Sequence, residues 1–223
     1  MKNKELVEKA LANLKMLNGK NKEQCKEPIK LLEQFLISNA VQNLKFNVSD
    51  CCSKEGLRPV FSGVFYQNGK ATATDGHVLS SINCEYDKKL EGKIITAKGI
   101  EIKDVRFPEY EHFLPKIKEL KTFRFDIPKL NEKLKEGRII GKDVYGFVFK
   151  ISAYENTTFF KYDDFKIFVS FINAYKDSDV GLSVSGSNTY IYAEDKDRNL
   201  IMLYPHDESK DFLDIQDCVI INN

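Results

Sequence analysis

Three histidines, His77, His112 and His206, are the residues of this sequence best suited to metal chemistry. Three imidazoles can hold a catalytic zinc ion while a fourth position stays open to water. That arrangement needs helical spacing such as H-x-x-x-H, or neighbouring rungs of a sheet, and no two of these histidines meet it. A metal-dependent hydrolase is therefore the weakest reading, and neither a metal nor any other cofactor is expected. Cys25, Cys51, Cys52, Cys84 and Cys218 are odd in number and form no C-x-x-C, which argues against a disulfide framework and against a zinc ribbon. Cys51 and Cys52 read as thiols in a polar loop without a nucleophile signature. Asp163-Asp164 could do acid–base work, but an apolar-periodic run follows directly. A helix N-terminus explains two carboxylates there. No glycine-rich phosphate loop occurs. No catalytic residue is expected, and the chain is not read as an enzyme.

The cations have a clearer pattern. Lys129, Lys133, Lys135 and Arg138 fall on or just after one predicted helix, and Lys166 on another. Such a set is either an ordinary solvated face or a lattice that holds phosphate without reading bases. Lys+Arg 34 against Asp+Glu 33 leaves a net charge of +1. That excludes a histone-like basic protein, but not charge segregated between faces. The arginines are few: Arg58, Arg106, Arg124, Arg138 and Arg198. Arginine is the usual reader of guanine edges, so a lysine-dominated supply suits phosphate contact.

The elements that must position these groups follow from periodicity. Leu6, Val7, Ala10, Leu11, Leu14 and Leu17 recur at helical spacing up to Asn18-Gly19. A second helix starts near Pro28, with Leu31, Leu32, Phe35 and Leu36 on its apolar face. Together they predict a helical hairpin. A strand is expected from Pro59, then Asn68-Gly69 and Asp75-Gly76 predict the turns of a three-stranded antiparallel meander. A further hairpin turns at Lys98-Gly99. Pro108 and Pro115 mark a structured linker. Beyond it come a strand at Phe123, a helix capped by Asp126 with Pro128 in its first turn, and two strands. A Phe-rich helix capped by Asp163 or Asp164 follows, then three strands ending at Pro205, and a tail that is acidic, then apolar. The domain plan is a helical hairpin over 1–43, a second unit with its linker over 44–116, a third over 117–206 and a tail over 207–223.

Four segments carry a resemblance. Arg58-Pro-Val-Phe-Ser-Gly-Val-Phe-Tyr, followed by Ala73-Thr-Asp-Gly-His-Val-Leu-Ser, is similar to R-P-x-L-x-G-V-x-F and A-T-D-G-H-R-L-A of the bacterial DNA sliding clamps, the DNA polymerase III beta subunit family. Phe107-Pro-Glu-Tyr-Glu-His-Phe-Leu-Pro resembles that family's F-P-D-Y-x-x-V-L-P linker, and Leu203-Tyr-Pro its M-P near the C-terminus. The resemblance spans roughly residues 45–206, in order, covering the family's middle and last domains. The helical hairpin stands where the family has its first domain. Val78 replaces an arginine common in the family, and His112 a basic residue.

The resemblance implies an α+β fold of DNA-clamp-like antiparallel sheets with helices on one face. It implies an inter-domain pocket for short apolar peptides of DNA polymerases or clamp loaders. Its walls would be Thr74, Gly76, His77, Val78, Leu79, Pro108, His112, Phe113, Leu203, Tyr204 and Pro205. It also implies duplex DNA held non-specifically by Arg58, Lys129, Lys133, Lys135, Arg138 and Lys166. The expected function is a clamp-like processivity accessory in DNA replication, from a phage or mobile element given the short chain, working as a homo-oligomer. The alternative is an interaction module or replisome regulator that keeps the pocket without encircling DNA. Hydrophobic residues at 42% suit a packed core. No apolar run approaches the roughly 18 residues of a membrane span, and the charged start is unlike a signal peptide. A cytoplasmic protein with no membrane partner is expected.

Overall fold

The structure is a computed structural model. It describes residues 2–17, 25–32, 44–54, 58–114, 120–136, 148–153, 156–185, 188–205, 216–217 and 220–221. Asn68 and Gly69 both adopt positive φ, 52° and 72°, the twist-matched turn that Asn-Gly favours. They join β1 (Gly63–Gln67) to β2 (Lys70–Thr74) with Gln67 opposite Lys70. β3 (Val78–Asn83) pairs on the far side of β2, with Leu79 opposite Thr74. β4 (Lys93–Thr96) returns along β1, and β5 (Glu101–Ile102) folds back on β4. The expected strand start at Pro59 is instead a 3-10 turn, Pro59–Phe61, and pairing begins at Gly63. Pro59 has no N–H to give to a ladder and suits a turn's first position.

After the linker, β6 (Lys121–Phe125) leads into α3 (Ile127–Glu136), where Asp126 Oδ1 accepts from the Lys129 amide at 3.1 Å. β7 (Val148–Ala153) and β8 (Asn156–Lys161) form a hairpin. α4 (Tyr162–Ala174) follows without an intervening residue, so neither Asp163 nor Asp164 caps it. Lys161, extended at φ −60° and ψ 142°, is the N-cap, and both aspartates sit inside the first turn. There they act through the helix dipole rather than as caps. β9 (Asp179–Ser185), β10 (Asn188–Glu194) and β11 (Leu200–Leu203) are three successive antiparallel strands. The tail adds β12 (Gln216–Asp217) and β13 (Ile220–Ile221). At the N-terminus lie α1 (Lys2–Leu17) and a helical stretch over residues 25–32, α2, which includes Pro28.

The strands form one ten-stranded antiparallel sheet, in the order β13-β6-β9-β10-β11-β3-β2-β1-β4-β5, and a second sheet, β12-β7-β8. The large sheet runs without a break from the β1–β3 meander to the β9–β11 strands. β11 pairs with β3, placing Leu203 opposite Val78 and Met202 opposite Leu79.

Alternation along these strands separates two faces. Val64, Tyr66, Ala71, Ala73, Val78, Ile82, Ile191, Ala193, Ile201 and Leu203 pack on one side with Phe165, Phe168, Val169, Phe171 and Ile172 of α4. Each of these phenylalanines contributes roughly 1.5–3 kcal/mol by burial. Cys51 belongs to this core and is fully buried, correcting the expectation of a polar loop. Residues 48–51 form a 3-10 turn that presses Val48 and Cys51 inward. The opposite face carries a smaller cluster of Leu79, Tyr192, Leu200 and Met202.

Candidate functional site

The turn between β2 and β3 is built by its own side chains. Asp75 Oδ1 accepts from the amides of His77 and Val78, both at 2.8 Å, and Thr74 Oγ1 accepts from the Gly76 amide at 3.0 Å. Gly76 has φ 101°, a backbone state that costs an L side chain about 1–2 kcal/mol. The turn leaves His77 exposed, while its carbonyl accepts from the Tyr204 amide at 2.8 Å. The Ala-Thr-Asp-Gly-His motif and the Leu-Tyr-Pro motif are thereby adjacent.

The linker crosses the same face of the sheet. Phe107 stacks on Phe65 with ring centroids 4.8 Å apart and planes 8° from parallel. The Tyr110 hydroxyl lies 3.1 Å from both Thr72 Oγ1 and Ser81 Oγ, which are themselves 2.9 Å apart. This hydroxyl trio pins the linker across β2 and β3. Leu114, Tyr110, Tyr190 and Tyr204 then pack on the Leu79–Met202 cluster. Phe113, one residue before Leu114, is 67% exposed.

The expected pocket residues therefore divide. His77, Leu79, Tyr204 and Pro205 share a strand junction, with Leu79 and Tyr204 on the linker-covered face. Thr74 is buried and holds the turn. Pro108, His112 and Phe113 are exposed on the linker. Val78 and Leu203 are 0% exposed and face the helix side, so they can supply backbone but no wall. On the other face Met202 is itself only 2% exposed, with Tyr190, Tyr110, Leu114 and Tyr204 packed half-buried against it and Leu79. Strict period-two reading from Tyr204 would have found Met202. Pro108 and His112 also border a cavity of about 780 Å³ with Phe65, Lys93, Glu101 and Arg106, where Lys93 Nζ is 3.1 Å from Glu101 Oε2.

Half of the expected cation set, Lys129, Lys166 and Arg58, has described side chains. Lys129 on α3 and Lys166 on α4 are exposed. The two helices lie side by side, joined by reciprocal amide bonds between Asn131 and Asn173 at 3.3 and 3.1 Å. Lys133 and Lys135 continue α3, but their side chains, with Arg138 and His206, lie outside the described residues. Arg58 stands over the Phe61 ring at 5.9 Å, and that ring neighbours Gly76.

Burial also sets the chemistry of the titratable groups. It pushes the Cys51 thiol far above its ordinary range and the Cys52 thiol up to about 12, so neither is a ready nucleophile. Asp164 is raised from 3.8 to about 6, first by burial and then by the Asp75 carboxylate, against the pull of Lys161 and His77. Among the described residues no three His, Cys, Asp or Glu side chains gather as a metal site, and no helix is long and apolar enough to cross a membrane.

No family model matches this sequence, and no curated protein matches it. Solved structures do. The beta sliding clamp of C. crescentus superposes with a TM-score of 0.53 at 13% identity, covering 82% of this chain and 63% of that one. The fold is that of a DNA sliding clamp. The Bartonella birtlesii clamp gives 0.52 at 14% identity over 72% and 63% of the two chains, and the Thermotoga maritima beta subunit 0.51 at 11% over 78% and 64%. This clamp fold thus spans a little under two thirds of the length of the clamps it matches.

Proposed function

We propose that the chain is a non-enzymatic, clamp-like accessory protein of DNA replication that takes a short apolar peptide of a DNA polymerase or clamp loader. The observation that carries this reading is the pairing of β3 with β11 beneath the linker. Leu79 and Met202 share an apolar cluster on which Tyr204 and Leu114 pack, and the His77 carbonyl is bonded to the Tyr204 amide, which supports reading Phe113, one residue before Leu114, as part of the groove's rim. Leu114 and Tyr204, half-buried over Leu79 and Met202, offer an apolar floor, while Tyr110 and His77 give polar edges, a combination suited to an extended peptide. A Gln-Leu-x-Leu-Phe-type peptide should bind in the micromolar range, about −8 kcal/mol. Fluorescence anisotropy with labelled peptide tests this. Phe113→Asp and His77→Ala should weaken binding without moving the melting temperature, and equal binding by both variants would sink the proposal.

Duplex DNA contact through Arg58, Lys129, Lys133, Lys135, Arg138 and Lys166 is part of the same proposal. A second reading, an interaction module that does not encircle DNA, draws support from the helix face itself. Glu132 and Asp163 are exposed on the same helices as Lys129 and Lys166, which dilutes the attraction for phosphate. Retention on circular duplex with release on linearisation would favour the encircling clamp; equal loss from both would favour the module.

A further inference from the structure

The linker serves two spaces. Tyr110 packs on the Leu79–Met202 cluster, and it also lines the cavity of about 780 Å³ between residues 103–112 and the strands β1, β4 and β5. That volume falls within the roughly 300–1,000 Å³ of ordinary ligand sites. One rung of the sheet, with Ile102 opposite Ile94 and Ile94 opposite Phe65, brings three apolar residues to the cavity. Phe65 and Ile102 are half-buried there, and Val105 is 40% exposed. Charged groups complete the lining. Lys93 is paired with Glu101, and Arg106 with Glu109, whose other carboxylate oxygen lies 3.8 Å from His112 Nε2. Lys103, Asp104 and Glu111 are exposed and make no ion pair among the described residues. Once the pairs are set aside, two carboxylates face one ammonium group, and the lining carries a surplus of negative charge.

We propose that this cavity is a second subsite, which takes the Lys or Arg side chains flanking the apolar segment of a partner peptide. It rests on the groove reading for the source of that peptide. The lining suits a cation on an apolar stem. Phe65, Ile102 and Val105 offer surface to the methylenes. The rings of Phe65 and Tyr110 attract a cation, and Asp104 and Glu111 hold charge that no neighbour neutralises. An acidic flank would meet like charge and be disfavoured. Because Tyr110 belongs to both spaces, a peptide that leaves the groove across the linker enters the cavity directly. Exposed ion pairs are individually weak, so the subsite adds a severalfold preference to affinity that the groove supplies.

Fluorescence anisotropy at low salt compares three labelled peptides: Gln-Leu-Ser-Leu-Phe alone, the same with two arginines added at each end, and the same with two glutamates at each end. The arginine peptide should bind severalfold more tightly than the bare one and the glutamate peptide no more tightly, and the advantage should shrink as salt screens it. Asp104→Asn combined with Glu111→Gln should abolish the advantage and leave the bare peptide's affinity unchanged; Asn tolerates the φ of 59° that Asp104 holds. Glu132→Gln combined with Asp177→Asn removes the same charge outside the cavity and should keep the advantage. Equal binding of the bare and arginine peptides overturns the proposal and leaves the groove reading intact. So does an advantage that survives in the first double variant, or one that vanishes equally in both. If the bare peptide does not bind at all, the groove reading falls, and acetyl-Arg-Leu-Arg-amide decides the cavity alone. In proton–nitrogen NMR spectra it should shift the amides of Ile102, Asp104 and Val105 in the wild type but not in Asp104→Asn with Glu111→Gln; unmoved amides in the wild type, or equal shifts in both, overturn the proposal.

Discussion

Asp164→Asn should stabilise the protein at neutral pH. The carboxyl group sits in the first turn of α4, largely buried, beside Asp75 of the β2–β3 turn. Its pKa is raised from 3.8 to about 6, with burial the main cause and Asp75 the next. One pKa unit corresponds to about 1.4 kcal/mol between protonation states, so ionising this group in the fold costs about 3 kcal/mol more than in the unfolded chain. The helix dipole favours an anion in the first turn by roughly 0.3–1 kcal/mol, which Asn forfeits. The net gain above pH 7 is then about 2 kcal/mol. Between pH 4 and 6 the folded state holds the proton that the unfolded state has lost, so this group lowers stability as pH rises, and the penalty is complete above 6. Denaturant unfolding of both proteins from pH 4 to 8 reads the difference directly. The two should coincide near pH 4 and diverge to about 2 kcal/mol by pH 8, about 4–8 °C in melting temperature for a chain of this size. A variant that is less stable at pH 8, or a difference that does not change with pH, would show that Lys161 and His77 hold the carboxylate more strongly than burial opposes it.

Tyr110→Phe removes the hydroxyl that bridges Thr72 and Ser81, which keep each other as partners at 2.9 Å. The expected loss is about 1 kcal/mol in unfolding free energy, together with weaker peptide binding as the linker loosens. Gly63→Ala should destabilise by about 1–3 kcal/mol, because the added Cβ would lie 2.8 Å from the Ile95 carbonyl oxygen across β1 and β4; a melting temperature equal to wild type would contradict that spacing. Charge reversal at Lys129 and Lys166 should flatten the dependence of duplex affinity on log salt by roughly one unit per lost phosphate contact, read by titration from low to moderate salt.

The strands and turns were legible because their signals are local. Asn68-Gly69, Lys98-Gly99 and Asp126 act within a few residues, and each fixes an element the structure contains. The order of motifs pointed to the clamp fold for a different reason: Phe107 and Tyr110 are constrained by partners on β1, β2 and β3, so their spacing carries tertiary information. What the sequence could not show were matters of facing and reach. Val78 and Leu203 sit inside matched motifs, yet strand alternation turns them to the helix side. Cys51 looked polar by its neighbours and is buried by a turn that only tertiary packing selects. The tail's two strands are too short for any periodicity, and their partners lie far away in the chain.

The seam between β3 and β11 also sets the timetable of folding. Val78 finds its partner, Leu203, more than a hundred residues later in the chain. Contacts so distant in sequence must overcome loop-closure entropy before they return any stability, and they slow folding accordingly. A ribosome making this chain would hold out the β1–β3 meander with one long edge of β3 bare until β11 emerged. Hydrogen exchange in pulse-labelled refolding should therefore protect the hairpin amides of β1 and β2 early, with the β3–β11 amides and the junction around His77 among the last to close.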